Sequence, residues 1–186
     1  MLLLLLGPIM FVVVVLVLER ITPQYNWQED YISELSLKKY GWVQKINFVV
    51  SGLLVAALAF SLSQQANIFW VKVGWVVGAF CGLITAAAGI LDTDVKQPIK
   101  TRSGRLHDWT WYLGSPGLAV SYLLIGFGYK NRPLIFLGSV LVVVFDLVWF
   151  FYSSRLGIKP GIGQRMVIFS SLAWAEFLAI WTLWLK

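Results

Sequence analysis

Six stretches of about 20 mostly apolar residues dominate this sequence. They cover roughly residues 2–18, 46–63, 70–91, 109–128, 133–152 and 166–185. An α-helix needs about 20 apolar residues to cross the hydrocarbon core of a bilayer. A chain in lipid must also satisfy its backbone hydrogen bonds internally, which a helix does. The sequence therefore predicts an all-α, polytopic membrane protein with six transmembrane helices in a single domain, residues 1–186.

Composition and charge narrow the possible partners. Hydrophobic residues make up 59% of the chain and charged residues only 13%, whereas soluble domains contain about 25% charged residues. The net charge of +6 is spread over the connections between apolar stretches rather than gathered in one basic run. This distribution is not typical of a nucleic-acid-binding protein. We therefore expect membrane lipids, and other membrane-protein subunits, as partners, and no nucleic acid.

The connections predict an orientation in the membrane. With six spans, the long connections 19–45, 92–108 and 153–165 all lie on one side. That side carries eleven of the 15 lysines and arginines and the opposite side carries four. Positively charged loops are retained in the cytoplasm. We therefore expect a multi-pass protein of the cell membrane with cytoplasmic long loops and both termini outside.

Residues 26–40, NWQEDYISELSLKKY, have the pattern of a short amphipathic helix. Asn26 is a favourable N-cap, and Glu29 three positions later completes a capping-box pattern. Trp27, Tyr31 and Leu35 would share one face. We expect a short interfacial helix on the membrane surface, with a plain loop as the alternative.

Small residues predict where helices pack. Gly74, Gly78 and Gly82 are spaced by four and line one face of the third helix. In lipid, such a face lets a neighbouring helix approach closely. Pro116 in the fourth helix removes an internal hydrogen bond and is expected to kink or unwind that turn. A broken helix at membrane depth either lines a cavity or is a simple packing kink.

Two carboxylic acids lie within apolar stretches, Asp146 in the fifth and Glu176 in the sixth. An ionised acid facing lipid is costly, so both are expected to face the interior or to be protonated. They suit a proton or cation relay, or a polar lining for a lipid headgroup. The alternative is a structural hydrogen bond to a tyrosine, tryptophan or serine of a neighbouring helix.

Chemistry-bearing residues concentrate in the connection LDTDVKQPIKTRSGRLHDW, residues 91–109. Its acid–histidine cluster comprises Asp92, Asp94, His107 and Asp108. These groups could hold a divalent cation such as Mg²⁺, Mn²⁺ or Zn²⁺, although no cofactor is predicted. Alternatively, Arg102 and Arg105 with their lysine neighbours could bind an anionic headgroup. In a third interpretation Arg105 pairs with Asp92 or Asp94 and only fixes the loop.

Two of these connections carry a family resemblance. The first is YISELS, Tyr31 to Ser36, followed by a helix beginning near Asn47; the second is Asp92-Thr93-Asp94 with Gly104 and His107. The chain resembles the domain-of-unknown-function 998 family of prokaryotic six-helix membrane proteins, and more distantly DRAM-like proteins. The resemblance implies a six-helix bundle and carries no established activity. It also implies one cluster on the long-loop side, formed by Ser33, Glu34, Asp92, Asp94 and His107.

The function that these observations favour is non-enzymatic: a lipid-binding membrane protein or an accessory subunit of a larger membrane complex. One alternative is a membrane-embedded lipid hydrolase or transferase that uses the acid–histidine cluster. Another is a small ion- or proton-coupled transporter that uses Asp146 and Glu176. The sequence motifs of common hydrolases, such as GxSxG and HExxH, do not occur in the chain.

Overall fold

The computed structural model describes residues 2–94, 99–152 and 155–185. Six long helices account for most of them, and no β-strand occurs in these ranges. The helices are α1 (Leu6–Ile21), α2 (Gly41–Gln65), α3 (Phe69–Ile90), α4 (Arg102–Gly128), α5 (Pro133–Tyr152) and α6 (Pro160–Ile180). A 3-10 turn (Leu2–Leu5) precedes α1, a 3-10 helix (Ile32–Leu37) precedes α2, and a π-helical turn (Trp181–Leu185) follows α6. The predicted all-α fold is confirmed.

The helices form a ring in chain order. Each packs against its sequence neighbour, and α6 closes the ring against α1 while also touching α2 and α4. The connections 66–68 and 129–132 are short and lie at one end of the bundle. The described parts of the connections 22–40, 91–101 and 153–159 lie at the other end, which we call the long-loop face.

Glycines bring α2, α3 and α4 into backbone contact. A Cβ on Gly82 would lie 2.5 Å from the Ala56 amide nitrogen of α2. One on Gly74 would lie 2.9 Å from the Ser121 carbonyl oxygen of α4, and the Ser121 hydroxyl donates to the Gly74 carbonyl at 2.8 Å. Gly78 lies between them. The glycine face of α3 is therefore covered by helices of the same chain.

Large apolar side chains also cover the outside of the bundle, among them Trp42, Phe60, Phe80, Leu137 and Leu141. Soluble proteins rarely expose such an extensive apolar surface. Five helices are long and apolar enough to cross a membrane: Leu3–Ile21, Gly41–Gln65, Phe69–Ile90, Pro133–Tyr152 and Pro160–Trp184. These observations indicate a multi-pass membrane protein.

The fourth long helix is not one of these five. Its first turns are charged, and Gly114-Ser115-Pro116-Gly117 lowers the hydropathy of its middle. The helix nevertheless runs from Arg102 to Gly128 without interruption, with Pro116 on its exposed side. The predicted unwinding at Pro116 is therefore not observed.

The short helix after α1 covers only part of the predicted range, and it is buried rather than exposed. Residues 27–29 form a turn, and a 3-10 helix runs from Ile32 to Leu37. Ile32, Ser33, Glu34 and Leu35 are all buried. Ile32 and Leu35 pack in a cluster with Phe11, Val15 and Phe48. This segment therefore enters the mouth of the bundle rather than lying on a lipid surface.

Candidate functional site

Arg165 fixes the first connection to the start of α6. Its Nε donates to Glu19 Oε1 of α1 at 2.7 Å, and its Nη1 donates to the carbonyls of Asp30 at 3.1 Å and Gly161 at 2.7 Å. Its Nη2 contacts the Tyr25 hydroxyl. The Glu19 and Arg165 side chains are only 9% and 7% exposed. One guanidinium thus joins α1, the first connection and α6.

The sequence at the start of α6 allows this close docking. A Cβ on Gly161 would lie 2.5 Å from the Trp27 carbonyl oxygen and 2.6 Å from that of Asp30. The Ile32 amide donates to Gln164 Oε1 at 2.7 Å. Burial raises the pKa of Tyr25 far above its usual range, so its hydroxyl remains neutral beside the ion pair. The docking places the 3-10 helix over the centre of the bundle.

Sequence reasoning missed Arg165 as a functional residue and grouped it with the cations of the long loops. The sequence does contain one indication that Arg165 has a buried partner. Glu19 directly follows an apolar run, and an acid at the end of a membrane helix is expected to pair with a cation on a neighbouring helix.

Ser33 and Glu34 have different roles within the 3-10 helix. The Tyr31 amide donates to Glu34 Oε1 at 2.9 Å, so Glu34 completes the start of this helix. This reciprocal contact is the capping box that the sequence pattern had placed five residues earlier, at Asn26 and Glu29. Ser33 lines the cavity described below.

The aspartates of the second connection bind separate groups. Asp92 Oδ1 forms an ion pair with Lys45 Nζ at 2.6 Å, and the Asp92 amide donates to Ser103 Oγ at 2.8 Å. Asp94 Oδ2 accepts from the amide and the hydroxyl of Thr101, at 2.6 and 2.7 Å. These hydrogen bonds from Thr101 lower the pKa of Asp94. Asp94 thus anchors the N-cap residue of α4.

The cations of this connection are also engaged. Lys100 Nζ forms an ion pair with Asp108, which raises the pKa of Lys100. Arg105 Nη1 donates to the Lys100 carbonyl at 3.0 Å, and Arg102 is exposed at the start of α4. The loop is therefore held by internal pairing, with Lys45 and Lys100 as the cations. The described contacts pair Arg105 with a carbonyl rather than with Asp92 or Asp94.

Because these carboxylates bind separate partners, they bear on the alternative that the acid–histidine cluster holds a divalent cation. Within residues 2–94, 99–152 and 155–185, no three His, Cys, Asp or Glu side chains converge in a way that could hold a metal ion. Asp92, Asp94 and Asp108 point to three different partners. Lys96 lies outside the described residues. The acid–histidine cluster is thus spread along the loop rather than gathered around one point.

His107, the only histidine of the chain, lies in the second turn of α4 and is 8% exposed. The backbone of Ala88 and Leu91 at the end of α3 lies beside its ring. Burial is the largest influence on its pKa and lowers it, so the imidazole is neutral at pH 7. The ring nitrogen Nδ1 has no hydrogen-bond partner among the described residues.

A cavity opens beside His107 at the long-loop face. Its outer chamber has a volume of about 560 Å³. Polar and aromatic side chains line it, among them Tyr31, Thr93, Lys100, Asp108, Tyr112 and Trp149. Hydroxyl groups, one ion pair and aromatic rings thus surround this chamber.

An inner chamber of about 140 Å³ lies deeper in the bundle. Its walls come from α1, α2, α3, α4 and α6 and are mainly apolar, with Phe11, Phe48, Leu118, Ile168 and Leu172 among them. Five residues line both chambers: Ser33, His107, Trp111, Gln164 and Val167. We call these five the neck. The lining of the cavity therefore changes at the neck from mixed polar and aromatic to mainly apolar.

Of the residues predicted for a lipid or partner site, the structure brings only some to this cavity. Ser33, His107 and Asp108 line the outer chamber. Glu34, Asp92, Asp94, Arg102 and Arg105 are not among the described residues that line either chamber. These five act instead in the start of the 3-10 helix, in the loop contacts or at the surface.

The intramembrane acids are placed apart. Asp146 is buried and accepts hydrogen bonds from the hydroxyls of Ser170 at 2.6 Å and Ser171 at 2.5 Å on α6. Ser171 also lines the inner chamber. Glu176 is half-buried and lies five residues beyond Ser171, about 7 Å along the helix. The serine hydroxyls therefore bind Asp146 from the neighbouring helix. This contact fits the alternative that Asp146 forms a structural hydrogen bond.

Comparison with known proteins identifies the family of this chain but gives it no activity. No curated protein and no solved structure matches the chain. The distant similarity to DRAM-like proteins therefore stays an expectation from the sequence. A family model, described as a protein of unknown function (DUF998), matches residues 5–181 of the 186. Since this match covers nearly the whole chain, the protein belongs to the DUF998 family.

Proposed function

We propose that this protein binds a lipid or a lipid-like amphiphile in its two-chambered cavity and carries out no chemistry on it. The change in lining at the neck supports this proposal. Ser33, His107 and Gln164 stand where a chamber of about 560 Å³ with a mixed polar and aromatic lining meets a mainly apolar chamber of about 140 Å³. An amphiphile has the same order of surfaces, a polar head followed by an apolar chain.

The size of the inner chamber limits what enters it. An apolar cavity of about 150 Å³ in another protein stays dry and binds benzene. By that measure the inner chamber accommodates about six carbon atoms of an apolar chain. Burial of such a segment is favourable at about 0.8 kcal/mol for each methylene group. The outer chamber is large enough for a glycerol-sized polar head.

The loop contacts support binding over catalysis. A hydrolase or transferase would need Asp92, Asp94 or Asp108 free to hold a metal or to activate water. These three carboxylates instead bind Lys45, Thr101 and Lys100. Within the loop they therefore serve to hold the mouth of the cavity in shape.

We further propose that α4 is a sixth span. Its 27 residues extend about 40 Å, longer than the roughly 30 Å hydrocarbon core. Its low hydropathy has a local reason, since Gly114 and Ser115 line the inner chamber. Eleven of 15 cations on the long-loop side favour a cytoplasmic cavity mouth and outside termini in the cell membrane.

Native mass spectrometry of the gently extracted protein tests the proposal. Ala175 lines the inner chamber, and Ala173 on the same helix faces outward. We expect the wild type and the matched control Ala173→Leu to retain a lipid-sized adduct. Ala175→Leu should lose most of it, because the three added carbon atoms occupy a large part of the chamber.

Two results would contradict the proposal. One is an adduct that Ala175→Leu leaves unchanged. The other is a wild-type mass of the bare chain under conditions in which membrane lipids are still present. A mass that includes other polypeptides and no lipid would instead favour the accessory-subunit interpretation.

A further inference from the structure

A groove of about 650 Å³ lies on the outside of the bundle, along α6 and between α1 and α5. None of the described residues that line this groove lines either chamber of the cavity. From α6, Ile162, Met166 and Phe169 line the groove. Val167 and Ser171 of the same helix line the inner chamber. Helix α6 therefore separates the groove from the cavity.

The groove has about the depth of one membrane leaflet. Arg20, the last residue but one of α1, lies at its upper end, on the long-loop face. Ser170 lines its lower part, ten residues beyond Pro160 at the start of α6 and thus about 15 Å along that helix. The hydrocarbon core of a bilayer is about 30 Å thick. The groove therefore reaches from the long-loop face to about the middle of the membrane.

The lining of the groove follows the order of a lipid from head to chain. Leu16, Phe145 and Met166 are exposed apolar side chains of its walls, open to the surrounding lipid. Trp27, from the first connection, is exposed at its upper end. Tryptophans of membrane proteins lie preferentially at the level of the lipid headgroups. The long-loop end of the groove is therefore the place for a headgroup, and the deeper part is the place for an acyl chain.

The groove carries one positive charge without a counterion. Its described charged residues are two arginines and one glutamate. Glu19 and Arg165 form the buried ion pair, whereas Arg20 is exposed and forms no ion pair with another described residue. The guanidinium of arginine matches two oxygens of a phosphate group. Cations beside the membrane surface attract anionic lipids.

We propose that this groove binds an anionic phospholipid of the leaflet on the long-loop side. Arg20 donates to the phosphate, Trp27 packs beside the headgroup, and an acyl chain lies against Leu16 and Phe145. A zwitterionic lipid has the same phosphate, but its own ammonium group offsets the charge that Arg20 attracts. A second copy of this chain, with a net charge of +6, matches a positively charged groove less well than an anionic lipid does.

Native mass spectrometry of the full chain, released from lipid nanodiscs, tests this inference. The nanodiscs contain equal amounts of dioleoyl-phosphatidylglycerol and dioleoyl-phosphatidylcholine, which have the same chains and differ in headgroup charge. Ala175→Leu serves as the parent protein, because it reduces the inner chamber and leaves the lining of the groove unchanged. The measured quantity is the ratio of the two lipid adducts.

We expect the parent to retain phosphatidylglycerol about fivefold more than phosphatidylcholine, as one cation beside the membrane provides. Arg20→Gln should bring this ratio close to one, and Arg20→Lys should keep part of it. Met166→Trp should lower both adducts, because the larger side chain narrows the groove.

The matched control is Arg155→Gln. This arginine is also exposed on the long-loop face, and its guanidinium lies over the Tyr152 ring, 5.5 Å from the centroid. It is not among the described residues that line the groove or the cavity. The variant loses the same charge from the same face and should keep the full ratio.

Four results would overturn the inference. They are equal retention of the two lipids by the parent, a preference that Arg20→Gln leaves unchanged, an equal loss of preference in Arg155→Gln, and adducts that Met166→Trp does not lower. A mass of two chains that Met166→Trp reduces to one would also overturn it and assign the groove to a second copy. Because the groove and the cavity share no described residue, each of these results leaves the proposed function of the cavity standing.

Discussion

The α2–α3–α4 side of the bundle and the α1–α6–α5 side are held together by different means. On the first side, glycines bring backbones into contact, as where Gly82 meets Ala56. On the second side, polar side chains span the gaps between helices. Arg165 binds Glu19 between α6 and α1, and Asp146 binds Ser170 and Ser171 between α5 and α6.

This difference concerns the walls of the cavity. Both sides line the inner chamber: α2, α3 and α4 from the glycine side, and α1 and α6 from the other. Backbones in direct contact fix the distance between two helices, whereas polar contacts hold two helices at a side-chain's distance. We therefore expect the glycine side to be the more rigid wall of the cavity.

The largest effect is expected from breaking the buried ion pair. Arg165→Met leaves Glu19 buried without a cation, which costs about 3–5 kcal/mol in comparable sites. We expect a large fall in the thermal unfolding midpoint of the detergent-solubilised protein. Glu19→Gln should lower it less, because a neutral amide still accepts a hydrogen bond from Arg165.

The neighbouring pair Lys159–Glu29, at 2.8 Å, provides the control. These side chains are 47% and 46% exposed, and exposed pairs contribute at most about 1 kcal/mol. Lys159→Met should therefore change the midpoint little. Equal losses for Arg165→Met and Lys159→Met would show that burial of the α1–α6 contact does not matter.

An intermediate effect is expected on the glycine side. A Cβ on Gly82 meets backbone atoms of α2 that cannot move aside, so Gly82→Ala should destabilise the protein by about 1–3 kcal/mol. Gly114 lines the cavity, and a Cβ there would only touch Ile84 Cγ2 at 3.5 Å. Gly114→Ala should be neutral or more stable by up to about 1 kcal/mol.

Thermal unfolding of the two variants side by side checks the comparison. If Gly114→Ala proves as damaging as Gly82→Ala, the two helix faces are packed alike. The close backbone contact at Gly82 would then not be what holds α2 and α3 together.

The apolar stretches of the sequence predicted the six helices but not their ends. The fourth stretch was placed at residues 109–128, whereas α4 begins at Arg102; α6 begins at Pro160 rather than near 166. An apolar stretch marks only the part of a helix that lies within the lipid. Where a helix continues into polar surroundings, its residues are no longer apolar, and hydropathy does not show that the helix goes on. The missed turns carry His107 and Arg165, so the least predictable parts of the helices hold the most informative residues.

The candidate site was predictable as a region and not as a set of contacts. The sequence placed Ser33, His107 and Asp108 at one face, and all three line the outer chamber. It could not show that Lys45 would bind Asp92, because these residues are 47 positions apart and meet only through the packing of α2 on α3. Pairings of this kind depend on helix rotation, which periodicity alone does not fix.

The smallest of the three effects is a pH dependence centred on His107. Burial holds its folded-state pKa below the ordinary value of 6.5, so the unfolded chain binds the proton more readily. The free energy of unfolding therefore falls as the pH drops below about 6.5, as linkage requires. Unfolding midpoints at pH 7.5 and 5.5 should show this loss in the wild type and not in His107→Gln.

The surrounding charges do not reverse this expectation. Lys100 and Asp94, whose pKa values are shifted away from neutrality, keep their charges across this range, and Asp92 and Asp108 are paired with lysines. An equal loss of stability in His107→Gln would assign the pH dependence to another group. The imidazole would then have no part in it.

The pairing of Glu19 with Arg165 has a consequence for the biogenesis of the protein. The two residues are 146 positions apart, and ribosomes add about 5–20 residues per second. The glutamate therefore waits about 7–30 s after its synthesis before its arginine exists. During that interval the first helix carries an unneutralised acid at the edge of the membrane, which favours contact with the insertion machinery over bulk lipid. Closure of the ring by α6 is then the step that neutralises this acid.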